Sequence, residues 1–298
     1  MAIGFNPKDA SAYMNRGIAY DDKGNQDQAI ADYSKALELE PNRADIYVNR
    51  GNSYDNKGNR DKAIDDFNKA IGLNPKDAFA YVNRGITYDH KGNQDQAIAD
   101  YNKALELEPN RSDAYMNRGI ANENKGNLDQ AITDYKEAIL LKSKYAKAYV
   151  NLGVVYAKKG NLDQAIDNFN KAIIINPNDV LAYKNRAFIY FKKNDYDKAI
   201  SDCSKVIEIK PNLVGTYIKR GIIYDKQGKF NEAISDFTKA IEINSKFAHF
   251  YAVRAITYYH LKEYDKAWAD VHKAQQIELM SVSPKFIEDL KKTSGKDN

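Results

Sequence analysis

Six asparagines stand 34 residues apart along this chain: Asn15, Asn49, Asn83, Asn117, Asn151 and Asn185. A primary amide both donates and accepts hydrogen bonds, so such a ladder could grip a peptide backbone whatever its side chains. The same amides could instead bond the neighbouring segment and shape the stack. Asn is a mediocre helix former, so its return requires one of these reasons. The usual catalytic materials are scattered by comparison. His90, His249, His260 and His272 show no paired metal spacing, and Cys203 is the single cysteine. No Ser or Cys stands in a nucleophile context, and no Gly-rich phosphate loop follows a strand, because no strand pattern is present. The expectation is a chain without catalysis, metal or cofactor.

Composition narrows the class without naming a function. Lys and Arg number 45 against 41 Asp and Glu, a net charge of +4 that offers no polyanion signal. Apolar runs such as Ala172–Ile175 are far below the roughly 20 residues of a membrane span. No cationic stretch followed by an apolar one opens the chain, so no secretory signal is read. One cysteine excludes an internal disulfide and suits a reducing compartment. The localisation expected is cytoplasmic.

The elements that position the asparagines are read from the period. Ala29, Ala63, Ala97, Ala131, Ala165, Ala199, Ala233 and Ala267 recur every 34 residues without insertion. Eight units therefore start at Ala10, Ala44, Ala78, Ser112, Ala146, Val180, Val214 and Ala248, and positions within a unit are called places 1 to 34. Place 4 is always Tyr, place 8 is Gly or Ala, and place 11 is Tyr except at Asn122. Places 4, 8 and 11 share one helical face, as do places 20, 21, 24, 27 and 28. Gly inside a helix costs about 1 kcal/mol against Ala, so its return at place 8 argues for a close crossing of a first helix, A, on a second, B. Gly at place 15 is suited to stop helix A. Asn25, Asn59 and their equivalents are expected as N-caps of helix B, with Asp in its first turn favoured by the dipole. Pro at place 32 ends helix B. Such a unit cannot bury its apolar face alone and must stack on its neighbours.

This aromatic, Gly, Tyr, Ala, aromatic, Pro pattern at a 34-residue period resembles the tetratricopeptide-repeat family, over residues 10–281. The resemblance implies an all-α fold, a right-handed superhelical solenoid of eight helix–turn–helix repeats with helix A on the concave side. It also implies a scaffold that holds peptides or partner proteins. The asparagine series is similar to the ladder in the superhelical domain of O-GlcNAc transferase. Departures are local: Asn122 at place 11, Cys203 and Val271 at place 24, and Lys262 at place 15. A carboxylate clamp of the chaperone-binding type is not expected, because Val48, Asp113 and Asn117 stand where its Lys and Arg belong.

The repeats can be compared with each other. Place 7 is Arg16, Arg50, Arg84, Arg118, Arg186, Arg220 and Arg254, but Leu152 in the fifth unit. Place 23 is Asp32, Asp66, Asp100, Asp134, Asp202, Asp236 and Asp270, but Asn168 in the same unit. Joint loss fits a structural ion pair between helices A and B, since removing one partner strands the other charge.

Places 2, 5, 6, 9, 12 and 13 fall within roughly a 120° arc of helix A, away from places 4 and 11. This arc is the expected partner-binding groove. Its earlier half is acidic, with Asp21, Asp22, Asp55, Asp89 and Glu123; its later half is basic, with Lys158, Lys184, Lys192, Lys219 and Lys226. Phe188, Phe191 and Tyr259 gather in the later half, with Ile222 and Ile256 beside them. Aromatics flanked by cations are typical of interface hot spots. The partner expected is a segment with an acidic–hydrophobic part over repeats five to eight and a more basic part over repeats one to four; packing of Phe188 and Phe191 under the next repeat is the competing use. His90 and His260 are expected as solvated groove residues. An RNA-binding helical repeat of the pentatricopeptide kind is a further alternative, disfavoured because groove carboxylates would repel phosphates; no nucleic acid and no membrane partner is expected.

Residues 2–10 repeat the pattern of residues 70–78, so residues 1–9 are expected to be the tail of a preceding repeat. The exposed end of repeat one would then be open to self-association, the alternative to a binding groove. Residues 282–298 are expected to form a short capping helix carrying Phe286, Ile287 and Leu290, with a disordered tail from 293.

Overall fold

Each unit opens with a helix that a left-handed residue stops. A computed structural model describes residues 7–296, which hold seventeen helices and no strand. They fall in two compact units, one ending at Val155 and one starting at Tyr156. The first holds α1 (Ala10–Asp22), α2 (Gln26–Leu39), α3 (Ala44–Asn56), α4 (Arg60–Leu73), α5 (Ala78–His90), α6 (Gln94–Leu107), α7 (Ser112–Lys125) and α8 (Leu128–Leu141). The boundary falls within α9 (Ala146–Lys158). The second holds α10 (Leu162–Ile175), α11 (Val180–Lys192), α12 (Tyr196–Ile209), α13 (Val214–Lys226), α14 (Phe230–Ile243), α15 (Ala248–His260), α16 (Tyr264–Ile277) and α17 (Pro284–Ser294). Within each unit, helix A packs on its own helix B, and helix B on the next helix A.

The turn between A and B is a backbone device. The place-15 residue takes positive φ, as at Gly58 (80°), and the next N–H reaches back five residues, Asn59 to the Tyr54 carbonyl at 2.8 Å. That bond satisfies a carbonyl that the helix end would otherwise leave open. Asn194 (59°) and Lys262 (62°) adopt the same conformation without being glycine; Asn tolerates it and Lys does so at a steric cost. The expected N-caps do not form: Asn25, Asn59, Asn93, Asn127 and Asn161 sit at the start of helix B, but none makes a side-chain capping bond. Their backbone is committed to closing helix A, and that conformation does not aim the amide at the helix. Side-chain caps occur instead on helix A, from Asp9, Asp77 and Asp179.

In the repeats with glycine at place 8, the core is a ring seated on a missing side chain, as at Gly17, Gly51, Gly85, Gly119 and Gly221. A Cβ at Gly51 would lie 2.8 Å from the Phe67 ring, and one at Gly17 would lie 2.6 Å from Tyr33. The place-8 glycine is therefore a steric requirement. Alanines at places 20 and 27, such as Ala63 and Ala70, are fully buried beside these rings.

At the far end, Leu290 of α17 is fully buried with Val271, Trp268 and Val282. Thr293 and Ser294, expected in a loose tail, belong to this helix: Thr293 bonds the Asp289 carbonyl at 2.7 Å, and Ser294 accepts from the Trp268 indole at 3.2 Å. The helix continues because its last turn has these partners. Lys296 pairs with Asp265. Residues 1–6 and 297–298, parts of the expected tails, lie outside the described residues.

Candidate partner-binding face

The charged residues at places 7 and 23 face each other. Arg50 Nε and Nη2 lie 2.8 Å from the two oxygens of Asp66, a bidentate pair. The same geometry joins Arg16 to Asp32, Arg84 to Asp100, Arg186 to Asp202, Arg220 to Asp236 and Arg254 to Asp270, and Arg118 grips Asp134 with Asn122 beside it. The hydrogen bond from Arg50 to Asp66 holds the guanidinium above its ordinary pKa. The arginine also reaches the preceding repeat: Arg50 to Ser34 at 3.0 Å, Arg84 to Asn68 and Arg118 to Asn102 at 2.6 Å, Arg220 to Ser204 and Arg254 to Thr238 at 2.8 Å. These arginines clamp neighbouring repeats together, a role that the within-repeat comparison of places 7 and 23 does not reveal. In the fifth repeat Leu152 is buried, and the Asn168 amide turns to the Gln164 carbonyl at 2.7 Å.

The acidic half of the arc is largely used internally. Asp21 accepts from the Tyr33 hydroxyl at 2.9 Å and from Ser53 of the next repeat at 2.6 Å. Glu123 accepts from Tyr135 at 2.8 Å, and Asp89 lies 3.4 Å from the Asn124 amide. Asp55 lies 2.9 Å from His90 of the next repeat, and Asp225 lies 3.2 Å from His260. The two histidines are exposed, as expected, and are also tied across repeat junctions, because the place-12 carboxylate beneath them needs a donor.

Of the asparagine series, Asn15 is exposed and the other five are half-buried. Asn151 bonds the Tyr135 hydroxyl, and the Asn83 amide nitrogen is buried without a hydrogen-bond partner. Burial raises the phenols of Tyr33, Tyr101 and Tyr135 well above the usual range, with the place-12 carboxylates adding to the effect. These amides edge the repeat junctions as well as the surface.

The later half is different. Lys184, Phe188, Phe191, Lys219 and Ile222 line one cavity of about 220 Å³, completed by Ala187, Cys203, Thr216 and Ile223. Phe188 is 49% exposed. Lys192 stands over the Phe188 ring, its Nζ 4.8 Å from the centroid. Phe191 is half-buried, 5.9 Å from the Tyr196 ring centre. Burial pushes the Cys203 thiol up to about 11, so the cysteine is a wall rather than a nucleophile. Lys158 and Lys226 are exposed outside this cavity. Tyr259 belongs elsewhere: it stacks edge-on against Phe286 of α17 at 5.6 Å and lies 3.2 Å from the Thr293 hydroxyl. The C-terminal helix covers it, so it packs that helix instead of lining an open face. Cys203, Ala187, Thr216 and Ile223 were not among the expected site residues. The signal for Ala187 and Cys203 was the joint departure of repeat six at places 8, 12 and 24; Thr216 and Ile223 come from repeat seven.

Among the described residues no group of His, Cys, Asp and Glu could hold a metal ion, and no helix is long and apolar enough to cross a membrane.

Models of the tetratricopeptide repeat match residues 10–43, 44–77, 78–111, 146–179, 180–213 and 215–247, and two further models of such repeats match 100–133 and 124–160. The chain belongs to the tetratricopeptide-repeat family, whose members serve as protein-interaction scaffolds. Among solved structures, MamA is similar at 31% identity, over 54% of this chain and 94% of its own, with a TM-score of 0.51. A tetratricopeptide-repeat protein from Parabacteroides merdae is 24% identical over 79% of this chain and 93% of its own, with a TM-score of 0.61. The C-terminal part of a repeat protein from Cytophaga hutchinsonii is 22% identical over 81% and 98%, with a TM-score of 0.70. The last two show the fold alone. No curated protein matches the chain in sequence.

Proposed function

We propose that the helix-A face binds an extended segment of a partner protein, with an acidic–hydrophobic stretch seated on repeats six and seven. The observation that carries this reading is the convergence of Lys184, Phe188, Phe191, Lys219 and Ile222 on one apolar cavity with two lysines in its wall. Core packing does not require a half-exposed Phe188 beneath a lysine, whereas a hot spot does: an apolar anchor site rimmed by groups that fix orientation. Over repeats one to four the carboxylates already serve Tyr33, Ser53, His90 and Tyr135. The reading therefore rests on the later repeats, where the half-buried Asn185 is a secondary contact.

The test is a Phe191→Ala/Lys184→Ala double variant, assayed against peptides selected from a random 15-residue library on the wild-type protein. A loss of at least about ten-fold in affinity is expected, the loss of a hot-spot contact. Unchanged affinity in a variant that still unfolds cooperatively would sink the proposal.

A further inference from the structure

Six other repeats carry a ring at the place where Cys203 lines this cavity. Tyr33, Phe67, Tyr101, Tyr135, Phe169 and Phe237 all stand at place 24, and each is at most 1% exposed. Where the ring is tyrosine, its hydroxyl enters a polar network, as Tyr33 does with Asp21 and Tyr135 does with Glu123 and Asn151. At the junction of repeats six and seven every member of that set changes. Place 24 is Cys203, place 12 is Phe191 instead of an acid, and place 6 of the next repeat is Lys219 instead of Asn. Place 8 is Ala187, which the absent ring leaves room for. The ring has been removed, the polar groups that would have held a hydroxyl have become apolar or cationic, and a cavity of about 220 Å³ remains.

We infer that this cavity takes the aromatic side chain of a docked peptide, a phenylalanine with an acidic residue within two positions of it. This deepens the reading above and rests on it. Three observations define the occupant. The space borders a place that an aromatic ring fills in six sister repeats, so its walls already suit a flat apolar group. It is smaller than the roughly 300–1,000 Å³ of a typical small-molecule site, which fits one side chain better than a cofactor. Lys184 and Lys219 line it, Lys192 stands over Phe188, and no carboxylate lines it, so a neighbouring acid finds complementary charge. The apolar lining at Phe191 and Ile223 favours phenylalanine over tyrosine, since a buried hydroxyl would lack the acceptor that Asp21 and Glu123 supply elsewhere.

The decisive variant returns the chain's own ring: Ala187→Gly/Cys203→Phe recreates the glycine–ring pair of Gly51 with Phe67. Random 15-residue peptides are selected on the wild type and affinities are measured on both proteins. Selected peptides are expected to carry Phe near Asp or Glu. Changing that Phe to Ala is expected to weaken binding at least about ten-fold. The filled protein is expected to lose as much, and on it the peptide's Phe→Ala change is expected to have no further effect. Selected peptides without an aromatic, or equal binding by the filled protein, overturn the inference. Should Phe191→Ala/Lys184→Ala abolish binding while the filled protein retains it, the pocket fails and the binding face stands. No enrichment on the wild type overturns both. Cys203→Leu, a smaller filling, provides an intermediate loss should the double variant not fold.

Discussion

His90 Nδ1 lies 2.9 Å from Asp55 Oδ2, joining helix A of repeat three to the end of helix A of repeat two. The contact recurs five repeats later as His260 with Asp225. In both places the ring at place 24, Phe67 or Phe237, has no hydroxyl. Where that ring is Tyr33 or Tyr135, the hydroxyl serves the carboxylate instead. The two donors are thus alternatives for one acid, and the histidine satisfies only one oxygen: Asp55 Oδ1 and the Asn83 amide nitrogen are buried without a hydrogen-bond partner.

Phe67→Tyr should supply the absent group, donating to Asp55 and accepting from Asn83 as Tyr135 does between Glu123 and Asn151. We expect a gain of about 1–2 kcal/mol in chemical denaturation, the net worth of a hydrogen bond to a charged acceptor. Phe169→Tyr is the contrast, because Ala157 stands at its place 12 and the hydroxyl would find no carboxylate. Equal effects of the two changes would refute the junction argument.

Asp66→Ala should destabilise by about 2–4 kcal/mol, since it strands a largely buried guanidinium; the Arg50 side chain is only 19% exposed. Arg50→Leu/Asp66→Asn copies the fifth repeat and should cost less than the single change. A double variant as damaged as the sum of its parts would show no coupling between the two places.

Gly51→Ala places a methyl against the Phe67 ring and should cost about 1–3 kcal/mol, against a helix-propensity gain of about 1 kcal/mol. Adding Phe67→Cys, to match Ala187 with Cys203, should recover part of the overpacking while losing ring burial, so the cycle should be non-additive. Additivity within about 0.5 kcal/mol would refute the close contact.

The Cys203 thiol, ordinarily near 9.0, is pushed up to about 11 by burial. Its folded pKa exceeds its unfolded one, so the contribution to stability is complete below about pH 9 and is lost as pH rises towards 11. Wild type should lose on the order of 1–3 kcal/mol relative to Cys203→Ala between pH 8 and 10.5. Parallel stability curves over that range would contradict a buried thiol.

Much of this architecture is local and therefore readable from residue types. A helix pair needs its apolar faces at helical spacing, its stop at place 15 and its close crossing at place 8, and each requirement admits few residues. Glycine at places 8 and 15 declares its reason by recurring at a position where it otherwise costs stability. Arg and Asp at places 7 and 23 declare a relation by disappearing together in repeat five. Junction chemistry was hidden because it joins residues 16 to 35 positions apart that many residue types can satisfy. Place 25 holds Ser, Asn or Thr beneath the arginines, and place 12 carboxylates looked like surface charge until Tyr33, Ser53 and His90 were found against them. Only packing in three dimensions could decide that Tyr259 lies under a terminal helix while Cys203 floors a cavity, because an unfilled volume is a property of neighbours and not of any residue in the chain.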